Sequence, residues 1–339
     1  MSKVLVTGGL GYIGSHTAVA LMELGHEVVI ADNLANTSAE VLDGIEAITG
    51  SRPTWVEVDL ADRGATAAFL SEHQDLDGII HFAAFKAVGE SVEKPLDYYH
   101  NNLGSLVNLL EFVKAKPRCA FIFSSSCTVY GQADELPIRE DAPVKPAESP
   151  YGNTKQIGEE MLRDGASAHG FQAIALRYFN PVGAHPSAKI GELPLGVPQN
   201  LIPFITQSAA GLRGALKVFG NDYPTRDGTC IRDYIHVVDV AKAHILAMDR
   251  LLAGKAEEPL EVYNLGTGTG STVVEVLEAF KEATGAPLEW DFTERRPGDV
   301  VEAYADTEKA SRVLGWRAEL PLLQSMADAW RWQQSLADR

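Results

Sequence analysis

The stretch Thr7-Gly-Gly-Leu-Gly-Tyr-Ile-Gly-Ser15 decides the fold. Gly9, Gly11 and Gly14 satisfy G-x-G-x-x-G, and Gly8, Gly11 and Gly14 also give a G-x-x-G-x-x-G spacing. The turn follows an apolar run, Lys3-Val-Leu-Val-Thr7, that reads as a strand, and precedes a helical stretch over 15–24 that stops at Gly25. Glycines at these places permit a tight turn, a close approach of backbone to pyrophosphate, and close packing of helix on strand. The helix start then offers unpaired N–H groups and the positive end of its dipole to phosphate. A second strand over 27–31 ends at Asp32, where an acid binds the hydroxyls of an adenosine ribose. A carboxylate there repels a 2′-phosphate, so NAD is favoured over NADP. Strand, glycine turn, helix, strand and acid in register predict a Rossmann NAD-binding domain.

The same alternation continues along the chain. Apolar, β-rich runs recur at 55–58, 78–82, 119–123 and 173–176, separated by helical spacing over 65–72, 102–115 and 151–169. Alternating strands and helices of this kind predict an α/β fold, a doubly wound parallel sheet covered on both faces. Residues with ligand potential close several strands: Thr7, Asp32, Asp59, 83–86, 124–126 and Asn180. Ligands of open α/β sheets sit at the carboxyl ends of strands, so these residues are expected to converge on one cleft. Beyond Asn180 the chain is rich in Pro and Gly over 181–203 and carries turn signals over 220–229. Helical spacing returns at 238–252, 273–283 and 322–336. The expected division is a Rossmann domain over 1–180, rejoined by roughly 230–265, and a smaller mixed α/β C-terminal substrate lobe over 181–339.

Composition narrows the class. The 339 residues are 45% hydrophobic and 22% charged, ordinary for a globular enzyme. A net charge of −17 argues against nucleic acid, whose phosphates need clustered Lys and Arg. Cys119, Cys127 and Cys230 form no C-x-x-C pair; free thiols in a reducing cytoplasm are expected, and no metal site. No apolar run reaches membrane-spanning length, and no signal peptide is expected, since the first strand is read from Lys3.

Chemistry is concentrated at Tyr151-Gly-Asn-Thr-Lys155 and Ser126. Residues four apart on a helix share a face, so the Tyr hydroxyl and Lys ammonium share one neighbourhood. A phenol titrates near 10, and a cation close by favours its phenolate. That pair can remove a proton from an alcohol while a nicotinamide takes the hydride.

Taken together, Thr7–Ser15, Ser124-Ser-Ser-Cys-Thr-Val-Tyr-Gly131 and Ser149-Pro-Tyr-Gly-Asn-Thr-Lys155 resemble the extended short-chain dehydrogenase/reductase superfamily. Three further stretches make the chain similar to its UDP-glucose 4-epimerase (UDP-galactose 4-epimerase) family. They are Phe82-Ala-Ala-Phe-Lys-Ala-Val-Gly-Glu-Ser91, Arg295-Arg-Pro-Gly-Asp299 and the segment from Asp222 through Arg232-Asp-Tyr-Ile-His-Val237. The resemblance spans nearly the whole chain. It implies an isomerase that keeps NAD tightly bound and recycles it in place, inverting C4 of a UDP-hexose through a 4-keto sugar. Tyr151 would be the base, Ser126 would bond the 4-oxygen, and Lys155 would hold the nicotinamide ribose and lower the Tyr pKa. The NAD site implied is Gly8, Gly11, Tyr12, Ile13, Gly14, Asp32, Asn33, Leu34, Ala35, Asn36, Thr37, Asp59, Leu60, Phe82, Ala83, Ala84, Lys86, Asn101, Ser124, Tyr151, Lys155 and Phe179. The UDP-sugar site implied is Lys86, Ser126, Tyr151, Asn180, Asn200, Leu201, Lys217, Phe219, Arg232, Tyr234, Arg296, Asp299 and Ala303. Arg232 and Arg296 suit diphosphate because a planar guanidinium donates in pairs. A homodimer is implied, formed by helices over 102–115 and 151–169.

Some readings stay open. Asp59 fits an adenine contact and a helix N-cap equally. Lys86 could pair with a surface acid, and His81 reads as a core histidine at a strand end. Ala303 stands where a bulky aromatic restricts the pocket beside the sugar 2-substituent in this family, so UDP-N-acetylhexosamines are expected to fit too. The rivals are a nucleotide-sugar 4,6-dehydratase, another epimerase acting at C4, and a non-catalytic NAD-binding protein. A dehydratase needs an acidic pair after Ser126, where Cys127 and Thr128 stand instead.

Overall fold

The computed structural model describes residues 1–296 and 299–337. Seven parallel strands form one sheet in the order Thr54–Glu57, Glu27–Asp32, Lys3–Thr7, Gly78–His81, Ala120–Ser126, Ala173–Tyr178, Leu260–Leu265. Strand residues alternate between two apolar layers, as a sheet buried on both faces requires. Val4, Val6, Ile30, Ile80, Ile122 and Ile174 face one layer, closed by the helices Tyr12–Glu23 and Val237–Leu252. Leu5, Val29, Ile79, Phe121 and Phe123 face the other, closed by Arg63–Glu72, Pro95–Ala115 and Pro150–His169. The strand order reverses around Lys3–Thr7, whose neighbours are Glu27–Asp32 and Gly78–His81. A crevice opens at the carboxyl end of such a switch point, where the glycine turn lies.

A separate apolar cluster organises the C-terminal part, with Ile202, Ile205, Val218, Val276, Leu277, Phe280 and Met326 at its centre. Short strand pairs frame it. Leu216–Phe219 runs parallel to Trp290–Thr293, and Ile231–Arg232 lies between Ser271–Thr272 and Glu302–Ala303.

Several expectations are corrected. The first helix begins at Tyr12 rather than at 15, because Gly11 occupies its N-cap. The strand expected at 119–123 runs through Ser126, so the three serines lie within the sheet rather than after it. The helix expected from 102 starts at Pro95, whose missing N–H costs nothing in a first turn. The Pro/Gly-rich stretch contains the strand Asn180–Val182 and leads into the helix Leu201–Ala209, with Pro203 in its first turn. Asn180 therefore belongs to a small sheet with Tyr234–His236, not to the main one. The helices Val41–Thr49 and Val88–Glu93 were not expected. Asp59 caps no helix: its carboxylate accepts from Ala61 N at 2.9 Å, and Asp62 caps the helix by accepting from Ala65 N.

Buried histidines make the fold acid-sensitive. Burial pulls His16 and His81 down to about 3 and His244 to about 4. Unfolded, each takes a proton near 6.5. Their folded pKa values are depressed, so the unfolded chain binds more protons as pH falls. Stability from these residues is complete above about pH 6.5 and is lost progressively towards pH 3–4. The urea midpoint is expected to drop between about pH 7.5 and pH 5; a flat profile would contradict neutral burial of these rings.

Candidate active site

Ser149 starts the reactive helix by accepting from Gly152 N at 3.1 Å, and Pro150 occupies its first turn. The cap sets Tyr151 at the helix entrance and Lys155 one turn deeper. Lys155 is buried, donates to Ser124 O at 2.7 Å, and lies 4.9 Å over the Phe123 ring and 5.8 Å over the Tyr151 ring. Ser126 ends the adjacent strand, its Oγ accepting from Thr128 N at 3.2 Å, and its side chain favours the ionised form of Tyr151. The three residues expected to carry the chemistry thus stand together at the carboxyl edge of the sheet.

Their electrostatics depart from the simple expectation. Burial pushes the Tyr151 phenol up to about 12, and the Ser126 side chain acts against it. The expected lowering by Lys155 is therefore corrected for the protein alone: the removal of water from the phenol outweighs a cation held off by its bond to Ser124 O. Burial also pulls Lys155 down to about 8, opposed by Glu159. His81 is neutral and held by Thr7 Oγ1 at 2.8 Å, the core role expected of it.

The dinucleotide cradle is built from backbone. A Cβ on Gly14 would lie 2.2 Å from Gly8 O, and one on Gly8, at φ +65°, would lie 2.7 Å from Ala83 N. The turn thus packs against its own helix and against the segment after Gly78–His81. Gly11 supplies no side-chain cap, so the first N–H groups of the Tyr12–Glu23 helix have no side-chain acceptor. Such a helix start fits a pyrophosphate. Asp32 is buried, with its carboxylate accepting from Leu10 N at 3.1 Å and Leu34 N at 3.0 Å. Thr37 Oγ1 donates to Leu10 O at 2.7 Å, which ties the 33–37 loop to the glycine turn. Asn33, Ala35 and Asn36 are exposed, with Ile13 and Leu34 half-buried against the core. Tyr12 donates to Gly183 O at 2.7 Å. Leu60 O accepts from Asn108 at 2.9 Å, and Asn101 donates to Asn102, whose oxygen also takes Phe85 N. Phe82, Ala83 and Ala84 continue from His81, and Phe179 is buried beside Val129, Tyr130 and Ala305.

The second half of the cleft carries the remaining candidates. The Arg296 guanidinium lies 4.3 Å over the Phe219 ring, and Arg232 faces Asp299 at 3.5 Å. The Pro297-Gly298 step of that motif lies outside the described residues. Ala303 pairs in register with Arg232, and Asn180 N donates to Asp233 O. Tyr234 is buried, whereas Lys217 is exposed and paired with Asp291 at 2.7 Å. Lys86 contacts Glu192 at 3.2 Å, and Asn200, just before Leu201, donates to the same carboxylate oxygen at 2.7 Å.

Sequence reasoning missed Glu192 and Tyr178. Tyr178 pairs in register with Ser126 and its hydroxyl contacts Ser124 Oγ. Its place beside Phe179 at a strand end was the available signal. Glu192 sits in an irregular loop and carried none.

A glycine-turn dinucleotide fold with Ser, Tyr and Lys at the carboxyl edge of its sheet defines an extended short-chain dehydrogenase/reductase. The chain matches the family model described as GDP-mannose 4,6 dehydratase over residues 5–328. It is 50% identical over 333 residues to UDP-glucose 4-epimerase of Bacillus subtilis (strain 168), covering 98% of this chain and 97% of that protein. It is 50% identical over 335 residues to UDP-glucose 4-epimerase 2 of Arabidopsis thaliana, with 97% and 94% covered. The UDP-glucose 4-epimerase of Stenotrophomonas maltophila, crystallised with NAD and formylated UDP-arabinopyranose, superposes with TM-score 0.95 at 46% identity over 100% of this chain and 99% of that one. The Bifidobacterium longum enzyme in complex with NAD+ and UDP gives TM-score 0.94 at 44% identity, over 99% of both chains. The chain belongs to the UDP-glucose 4-epimerase family and is an isomerase.

Proposed function

We propose that this enzyme interconverts UDP-galactose and UDP-glucose by inverting C4, with NAD held in the glycine-turn cleft. The observation that carries the reading is the grouping of Ser126, Tyr151 and Lys155 beside a backbone cradle for pyrophosphate. NAD, when bound, supplies a hydride acceptor that returns the hydride, and its positive nicotinamide favours the Tyr151 phenolate that burial alone disfavours. Ser126 orients the sugar 4-hydroxyl, and Tyr151 takes its proton. The 4-keto sugar turns over while its UDP stays anchored, and Tyr151 returns the proton for the opposite face. Arg232 and Arg296 hold the diphosphate and Phe219 offers its ring to the uracil. Binding energy from UDP thereby positions a sugar that must itself remain free to swing. Purified protein given UDP-galactose should form UDP-glucose with no added dinucleotide; a strict need for a second redox substrate would overturn the reading.

Elimination chemistry is disfavoured by the residues after Ser126. The Cys127 thiol is pushed up to about 11 by burial, and Thr128 Oγ1 is buried with no hydrogen-bond partner. Neither serves as the acid–base pair of a dehydratase.

Ala303 packs with Val129, Tyr130 and Phe179 beside half-buried Cys127, leaving a small side chain at the sugar edge. UDP-N-acetylglucosamine is therefore proposed as a second substrate. Campylobacter jejuni supplies a solved UDP-Glc/GlcNAc 4-epimerase at 37% identity and TM-score 0.84. Ala303→Tyr should cut turnover of the N-acetylated sugar by roughly tenfold or more while sparing UDP-galactose, since filling such a pocket costs about 1–3 kcal/mol. Equal losses on both sugars would reject it.

The proposed setting is the cytoplasm, with a homodimer through Pro95–Ala115 and Pro150–His169. Among the described residues no helix is long and apolar enough to cross a membrane, and Leu96 and Val107 are exposed on the first of these helices. The division into 1–180 with 230–265 and a 181–339 substrate lobe is likewise proposed, supported by Leu260–Leu265 pairing with Ala173–Tyr178 in the main sheet.

A further inference from the structure

We propose that Glu159, held by Arg177 and Ser125, is a positioning residue that fixes the strand end carrying Ser124 and Ser126 against the helix carrying Tyr151 and Lys155. The catalytic grouping comes from two elements, and among the reacting side chains the tie between them is the single bond from Lys155 to Ser124 O, which leaves their relative rotation open. Glu159 lies one turn beyond Lys155 and two beyond Tyr151, on their face of the helix. Its Oε1 accepts from Ser125 Oγ at 2.5 Å and from Arg177 Nε at 2.8 Å, while Oε2 accepts from Arg177 Nη2 at 2.5 Å. Ser125 is the residue between Ser124, whose carbonyl holds Lys155, and Ser126. The carboxylate therefore pins the middle of the serine run to the reactive helix.

Arg177 extends the lock to the turn that follows Ser126. Its Nη1 donates to Glu140 O at 3.2 Å, and its guanidinium lies 4.7 Å over the ring of Tyr130, the last residue of the Cys127–Tyr130 turn. Tyr130 in turn donates to Asn264 Oδ1 at 2.6 Å, on the edge strand of the sheet.

The network is fully internal: the Arg177 and Glu159 side chains are 4% and 5% exposed. A buried ion pair is roughly neutral for stability against well-packed apolar residues. What a two-pronged Arg–carboxylate contact adds is direction, since the fork tolerates little rotation or sliding. Proton transfer between Ser126, Tyr151 and the sugar oxygen needs that alignment. The carboxylate also favours the Lys155 ammonium against burial. The other groups facing that ammonium are Ser124 O, Tyr151 on its own helix, the Phe123 ring and neutral His81.

The inference rests on the epimerase reading, and the test separates the two. Ser125→Ala removes one arm and leaves the ion pair intact, so the fold is retained. It is expected to lower kcat for UDP-galactose by roughly tenfold, with KM, bound NAD and Tm little changed, because misalignment of about 1 Å can cost as much as a hundredfold. Single-turnover reduction of the bound dinucleotide should slow by the same factor. Glu159→Gln should lower kcat further and move the alkaline limb of its pH profile to lower pH, because Lys155 loses its neighbouring carboxylate. Wild-type kcat in Ser125→Ala, beside an active wild type, overturns the positioning role. A loss confined to Tm does the same. Where Glu159→Gln fails to fold, Ser125→Ala decides alone. Absence of turnover by the wild type overturns the epimerase reading itself.

Discussion

Tyr151→Phe is expected to lower kcat for UDP-galactose by about 10²–10⁴-fold, the range that general acid–base groups contribute. The phenyl ring fills the same space at the helix entrance, so the Ser149 cap and the Lys155 contact to Ser124 O should persist. KM for UDP-galactose should stay near wild type, because the residues proposed to hold UDP, Phe219, Arg232 and Arg296, lie in the other half of the cleft. Bound NAD should stay stoichiometric for the same reason. In the proposed mechanism the residue serves both half-reactions, so reduction of NAD by substrate and return of hydride should slow together. A loss in only one half-reaction would mean that a second group shares the proton work, and Ser126, whose side chain acts on the Tyr151 phenol, would be the first suspect. Burial holds the free phenol up at about 12, so below the alkaline limb that Lys155 sets the wild-type rate should climb with pH wherever NAD binding does not fully reverse that penalty. A flat profile below that limb would show that the bound cofactor restores the phenolate completely.

Gly14→Ala should strip the enzyme of NAD. The added Cβ would stand 2.2 Å from Gly8 O and 2.8 Å from Gly9 Cα, and both are backbone atoms of the turn that the pyrophosphate approaches. No side-chain rotation relieves such an overlap, so the turn itself must open. Overpacking of this kind costs about 1–3 kcal/mol in stability. The larger effect is on the cofactor, since displaced N–H groups no longer converge at the helix start. Purified Gly14→Ala is expected to lack NAD and to show no epimerisation unless the dinucleotide is added in excess, together with a Tm lowered by several degrees. Retention of full NAD would mean that the cradle adjusts elsewhere, and the close-approach account of this glycine would fail.

Much of the architecture was written locally. The glycine turn, Asp32 and the strands apolar on both faces are short-range patterns whose meaning does not depend on distant residues. Ser149-Pro150 likewise sets its own helix start. The misses have physical causes. Gly11 accepted the N-cap that a polar residue usually takes, so the first helix began early. Pro203 sat in a first turn, where its missing N–H is tolerated, so a helix was hidden in a stretch that reads as loop. The serine run was expected only to close a strand over 119–123, yet the sheet absorbed it through pairing with Ala173–Tyr178.

Sequence alone sufficed for the doubly wound sheet and the glycine turn, because each is encoded in residue types at fixed short spacing, and it singled out Ser126, Tyr151 and Lys155, which the fold brings together. Only the tertiary structure decided the environment of that trio. Tyr151 is driven up rather than down because its solvation depends on everything packed around it, not on Lys155 one turn away. Glu192 joins Lys86 to Asn200 across more than a hundred residues of chain. Tyr178 meets Ser124, and Glu159 meets Ser125 and Arg177, through strand register and helix docking. Burial depth and cross-strand register are sums over residues far apart in sequence, so no local pattern carries them.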